Sequence, residues 1–118
     1  MTEFLRDIKP EELHFIIGLI DLSSRPNLKN TIPDQVIELD DGEMGSIQFD
    51  LTKTKRRSYD IIDVEYIDED GTLVLIELTV DEEGNLFDLD FWKTDFSKLR
   101  RYPIIEKVTK SVDQFYCA

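Results

Sequence analysis

The chain is poor in the side chains that carry most nucleophilic and metal chemistry. Its 118 residues hold one cysteine, one histidine and one tryptophan. The cysteine, Cys117, is the penultimate residue, so no disulfide can close within the chain and a thiol nucleophile is not expected there. The single histidine, His14, excludes a two-histidine metal site and has no cysteine or serine constellation near it in sequence. The glycines of "DGEMGS", Gly42 and Gly45, lack the lysine and following helix of a phosphate loop. No apolar run approaches the roughly 20 residues of a membrane span. The opening "MTEFLRDIKPEELHF" also lacks the basic-then-apolar order of a secretory signal. A cytoplasmic protein without a membrane partner is the expectation.

Positive charge is scarce too. Fourteen Lys and Arg face 26 Asp and Glu, a formal net charge of -12 at pH 7. Such a balance argues against nucleic acid or an anionic membrane as a direct partner and suits a basic protein. The plainer reading is that the charge keeps a small domain soluble.

What is present is a core. At 41% hydrophobic and 10% aromatic residues, the chain is long enough for one domain, residues 1–118, and too short to suggest two. "KPEELHFIIGLIDL", Lys9 to Leu22, carries the clearest helix signal. Pro10 suits the first helical position, and Glu11 and Glu12 suit the positive end of the dipole. Leu13, Ile16, Ile17 and Ile20 follow helical spacing and are expected to face a sheet, with Phe15, Leu19 and Leu22 widening the apolar surface. His14 shares the outward side with Gly18 and Asp21.

From residue 35 to residue 93 the pattern changes to short β-type runs: "QVIEL", "GSIQFDL", "YDIIDVEYI", "TLVLIELTV" and "NLFDLDFWK". Acidic turns ending in glycine separate them, "LDDGEMGSI", "IDEDGTL" and "VDEEGNL". The fold class is therefore α+β, an N-terminal helix packed on an antiparallel meander of about five strands. A three-residue loop at Asp68–Gly71 pairs Tyr66 with Val74, Val64 with Ile76 and Ile62 with Leu78, which keeps the apolar residues on one face. The same loop at Asp81–Gly84 would turn Asp88 and Asp90 inward. A four-residue loop avoids this by pairing Leu78 with Phe87, Ile76 with Leu89 and Val74 with Phe91, and places Trp92 opposite Leu73. Asp95 reads as an N-cap before "FSKL", and Ile104 and Ile105 as an edge segment. The segment 104–118 has no clear pattern beyond that. "TKTKRRS" reads as a basic hairpin tip or loop.

Three chemistries compete for the acids. "YIDEDGTLVLIE" places Asp68, Asp70, Gly71 and Glu77 at four positions of an EF-hand loop, but Tyr66 stands where the first ligand belongs and strands flank the turn. Turn chemistry explains these residues without calcium, and no metal or other cofactor is expected. Asp88 and Asp90 could form an acid–base pair, yet catalysis needs a pocket and a perturbed pKa that an open strand face does not offer. An enzyme is not expected. The remaining role is protein recognition by one sheet face: Asp63, Glu65, Glu77, Asp88, Asp90 and Trp92, with Asp68, Glu69, Glu82 and Glu83 as its rim. Trp92 either anchors a partner or packs beneath the C-terminal segment.

"DDGEMGSIQF" and "DEDGTLVLIELTVDEEGNLFDLDFWKTDFSKLRRYP" together resemble a family of small bacterial domains of unknown function. It has an early Pro-Glu-Glu helix, a Gly-Met-Gly-Ser hairpin and an ending of the type Gly-x-Leu-x-x-Leu-Asp-x-Trp-Lys-x-Asp-Phe. The resemblance runs from about Pro10 to Pro103 and carries no established activity to particular residues. In size and character the chain is similar to immunity proteins encoded beside polymorphic or contact-dependent growth-inhibition toxins. The resemblance implies a protein that neutralises a basic toxin domain by direct contact through its acidic surface. An adaptor or structural domain with no toxin partner would have much the same sequence.

Overall fold

Burial of the apolar helix stripe and of alternate strand residues against one another generates the architecture of the computed structural model, which describes residues 4–111. The elements are β1 (Phe4–Asp7), α1 (Pro10–Ser23), a 3-10 turn (Pro26–Thr31), β2 (Gln35–Glu38), β3 (Ile47–Gln48), β4 (Arg57–Ile67), β5 (Leu73–Asp81), β6 (Leu86–Lys93), a 3-10 turn (Ile105–Lys107) and β7 (Thr109–Lys110). The seven strands form one antiparallel sheet in the order β1-β2-β3-β6-β5-β4-β7. The expected class, α+β with an N-terminal helix on an antiparallel and largely meandering sheet, is the one observed. Strands β2 to β6 are the five runs read from sequence, and β1 and β7 extend the sheet at its edges. The sheet departs from a plain meander where β3 pairs with β6 through Ile47 and Leu89. Among the described residues no helix is long and apolar enough to cross a membrane.

Helix α1 starts where Pro10 dispenses with an amide that would find no intrahelical acceptor. The Glu12 carboxylate accepts the Lys9 N–H at 2.9 Å. Arg6 on β1 forks onto the same carboxylate at 2.9 and 2.7 Å, fixing the helix against the first strand. The buried stripe is Glu12, Phe15, Ile16, Leu19 and Ile20. It is rotated from the expected one, since Leu13 and Ile17 are only half-buried. Phe15 causes the rotation, because its large ring fills the space toward Phe91 of β6 and Tyr102, with ring centroids 6.3 and 5.7 Å away. His14 is exposed, as expected. Gly18 is not outward-facing but lies against Ile105, so close that a Cβ there would fall 2.7 Å from its Cγ1.

The β4–β5 hairpin has the register read from sequence: Tyr66 with Val74, Val64 with Ile76 and Ile62 with Leu78. In β5–β6 the pairing is Leu78 with Leu89, Ile76 with Phe91 and Val74 with Lys93, two residues away from the expected one. The turn is not a longer loop. Asp81 N–H donates to the Asn85 carbonyl and Gly84 N–H to the Asp81 carbonyl at 2.8 and 3.0 Å, the same pattern as Asp68 with Thr72 and Gly71 with Asp68. Gly71 and Gly84 both take positive φ, 82° and 84°, which a side chain resists. What keeps Asp88 and Asp90 off the core face is a bulge, two residues of β6, Phe87 and Asp88, standing opposite Thr79 alone. Leu86 therefore enters the core and Phe87 is left half-buried.

Candidate functional site

Alternation along β4, β5 and β6 sends one set of side chains away from α1. Across the three strands these residues line up in rows: Asp63, Glu77 and Asp90 in one, Glu65, Leu75 and Trp92 in the next. The face divides into an acidic half and an apolar half.

In the acidic half, Asp60, Asp63 and Glu77 bring carboxylate oxygens within 4.8 Å of one another. Arg57, at the start of β4, reaches across to Asp88 at 3.0 Å, Glu77 at 3.6 Å and Asp90 at 3.8 Å. Like charges placed directly opposite on neighbouring strands oppose folding, and their effect shows in the ionisation of the cluster. Burial holds the Glu77 carboxyl above its ordinary pKa, reinforced by Asp60 and opposed by Arg57. Burial and the neighbouring Asp88 do the same for Asp90. Oxygens so spaced can hold a hard cation, yet three acids on a partly solvated sheet face do not by themselves make a metal site.

In the apolar half, Trp92 is 53% exposed and its ring centroid lies 5.6 Å from that of Phe96, itself 66% exposed. Leu75 and Ile67 continue this strip along β5 and β4. Trp92 stands opposite Leu75 rather than Leu73, a consequence of the bulge. The other reading of Trp92 has it packing beneath the C-terminal segment, residues 104–118: the described part, 104–111, runs to β7 beside β4 and leaves Trp92 half exposed, and residues 112–118, Cys117 among them, lie outside the described residues.

The expected site residues thus separate into groups. Asp63, Glu65, Glu77, Asp90 and Trp92 share the outer face. Asp88 belongs to it but is buried: its carboxylate accepts the Thr79 hydroxyl at 2.6 Å and Arg57 at 3.0 Å, so the bulge consumes it. Asp68 is not an exposed rim residue. It is buried with Lys93, whose ammonium it meets at 2.8 Å, and it also accepts the backbone N–H groups of Glu69, Arg100 and Arg101. Glu69 is exposed and paired with Arg101, and Glu83 is exposed and paired with Lys55. Glu82 is exposed. The two pairs of turn acids stand at opposite ends of the β4–β5–β6 sheet, so they do not form one rim.

Sequence reasoning did not identify Arg57, Asp60, Lys93 or Phe96. Arg57 was hidden in a run that reads as a basic loop, whereas β4 begins at Arg57 itself. Lys93 is completely buried and bound by Asp68, Asp70 and the Lys98 carbonyl, and no periodicity announces an ammonium at a core position. Phe96 projects from a turn at positive φ, where Asp95 accepts the Ser97 amide and hydroxyl. This Asx turn takes the place of the expected helix start. In the loop before β3, Asp41 accepts the amides of Met44 and Ser46, and the Ser46 hydroxyl accepts the Phe91 N–H at 2.9 Å. The "EMGS" and "LDFWK" stretches are thus locked together beneath the face.

No curated protein and no solved structure matches the chain. Residues 5–103 match the model of a family described as Domain of unknown function (DUF6984), and the chain belongs to that family.

Proposed function

We propose that this domain is a binding protein that presents the outer face of β4, β5 and β6 to a basic protein partner. In its specific form the reading is that of an immunity-type protein neutralising a toxin domain that acts on nucleic acid. One observation carries it: a row of carboxylates, Asp63, Glu77 and Asp90, spans three strands, has Arg57 at 3.6 and 3.8 Å from its last two members, and lies beside an exposed Trp92–Phe96 pair. Acidic clusters steer basic partners and speed association, while an exposed indole supplies the apolar contact that slows dissociation. A face that keeps like charges adjacent at a cost in stability is also what selection for binding would retain.

The test takes the protein encoded by the neighbouring gene, if it is basic, and measures affinity by calorimetric titration and association rate by stopped-flow fluorescence, each at two salt concentrations. Trp92→Ala is expected to weaken affinity by about 2 kcal/mol, roughly thirtyfold. Glu77→Lys with Asp90→Lys should slow association by about tenfold at low salt and flatten the salt dependence. Affinity and salt slope left unchanged by both variants would refute the face.

A further inference from the structure

A cleft of about 630 Å³ opens where the end of β4 meets the segment from Arg101 to Thr109, on the far side of Glu65 from the carboxylate row. Its volume falls within the roughly 300–1,000 Å³ typical of small-molecule sites. The walls come from two stretches of chain: Glu65, Tyr66 and Ile67 on β4, and Tyr102, Ile104 and Lys107 on the segment opposite. Both aromatic walls are fixed. The Tyr66 hydroxyl donates to the Arg101 carbonyl at 3.1 Å, and the Tyr102 ring is held by Phe15 and Phe91 at centroid distances of 5.7 and 5.6 Å. Yet the cleft leaves two large aliphatic side chains in water, Ile67 at 59% and Ile104 at 49% exposure.

Its charges narrow the class of occupant. Arg101 is already satisfied by Glu69 at 2.7 Å. Glu65 and Lys107 make no ion pair among the described residues. An apolar cleft with one unopposed carboxylate on one wall and one unopposed ammonium on the other complements neither a simple anion nor a simple cation. It complements a molecule that carries both charges on an apolar body.

We propose that this cleft binds a zwitterionic ligand with a large apolar side chain, an α-amino acid or a dipeptide. The ligand ammonium lies toward Glu65, its carboxylate toward Lys107, and its side chain against Tyr102, Ile67 and Ile104. The proposal does not depend on the protein-binding reading of the outer face, because Tyr102, Ile104 and Lys107 lie outside that face and only Glu65 and Ile67 border both.

Methyl NMR of the full chain, labelled at the isoleucine δ1 carbons, tests it with three probes: L-phenylalanine, L-leucyl-L-phenylalanine, and the same dipeptide acetylated and amidated at its ends. The expected result is saturable shifts at Ile67 and Ile104 with a free-ended probe, lost with the capped one. Preference for the amino acid or for the dipeptide then distinguishes the two sources. Lys107→Gln and Glu65→Gln, both at solvent-accessible positions, should each weaken binding about five- to tenfold while other methyl signals stay in place. The proposal is overturned if neither free-ended probe saturates these signals below about 10 mM, if the capped dipeptide binds as tightly, or if the shifts map elsewhere.

Discussion

Replacing Asp68 by Asn removes one charge and leaves the shape of the side chain intact, at a point where the fold depends on the charge. One carboxylate oxygen accepts Lys93 Nζ at 2.8 Å and the Arg100 N–H at 2.7 Å; the other accepts the Glu69 and Arg101 N–H groups at 2.8 and 3.0 Å. All four partners are donors. An amide can offer its oxygen to one pair only, and its NH2 must then face the other pair, donor against donor. Removing one partner of a buried ion pair costs about 3–5 kcal/mol. Asp70 still holds Lys93 at 2.7 Å, so the expected loss is at the lower end, about 3 kcal/mol, a large share of the 5–15 kcal/mol that a domain usually has. In a thermal melt this corresponds to a fall in Tm of about 10–20 °C. A second measurement separates the ion pair from the backbone contacts. In a Lys93→Met background the Asp68→Asn cost should shrink, since the uncompensated ammonium is gone. The pH dependence has a definite sign. Burial pushes the Asp68 carboxyl up, but Lys93 and the three amides outweigh it and bring its pKa below the ordinary value. Its contribution is therefore present above the unfolded pKa, about 3.9, and is lost as pH falls through the lower folded one. The difference between wild type and variant should close in acid. A Tm change of less than about 3 °C at neutral pH, or an undiminished cost beside Lys93→Met, would refute the reasoning.

Two further outcomes follow from the same structure. Gly18→Ala gains about 1 kcal/mol of helix propensity but places a Cβ 2.7 and 2.9 Å from Ile105 Cγ1 and Cβ, so urea titration should show a net loss of about 1–2 kcal/mol, relieved by Ile105→Ala; stabilisation by Gly18→Ala alone would contradict the packing. Glu77→Gln should raise stability at neutral pH by about 0.2–1 kcal/mol. The folded pKa of Glu77 is raised, so its protonated form favours folding below the unfolded pKa and that advantage disappears as pH rises through the folded one. Chemical denaturation at pH 7 and at pH 4 checks this, and a variant less stable than wild type at pH 7 would count against the like-charge cluster.

The element sequence from α1 to β6 was legible because each signal is local. Pro10 with two glutamates starts a helix, alternation marks strands, and an acid-rich turn ending in glycine closes a hairpin. For the same reason Tyr66, Val64 and Ile62 could be paired in advance with Val74, Ile76 and Leu78. The face of Asp63, Glu65, Glu77, Asp90 and Trp92 was legible as well, since alternation within each strand separates them from the apolar residues that the helix must cover.

Only tertiary structure decided the rest. The extra residue of β6 opposite Thr79 cannot be read from spacing, because a bulge and a longer loop move later side chains to the same face. Lys93 and Asp68, 25 residues apart, become a buried pair only once β6 is laid beside the β4–β5 turn. Arg57 meets Asp88 only across the sheet. Alternation in one strand fixes which side a residue faces, whereas its charge partner is fixed by which strands come to lie beside it. The sequence by itself therefore determined the helix, the strands and the acidic face, and the assembled sheet determined which of those acids hold the fold together and which stay open to solvent.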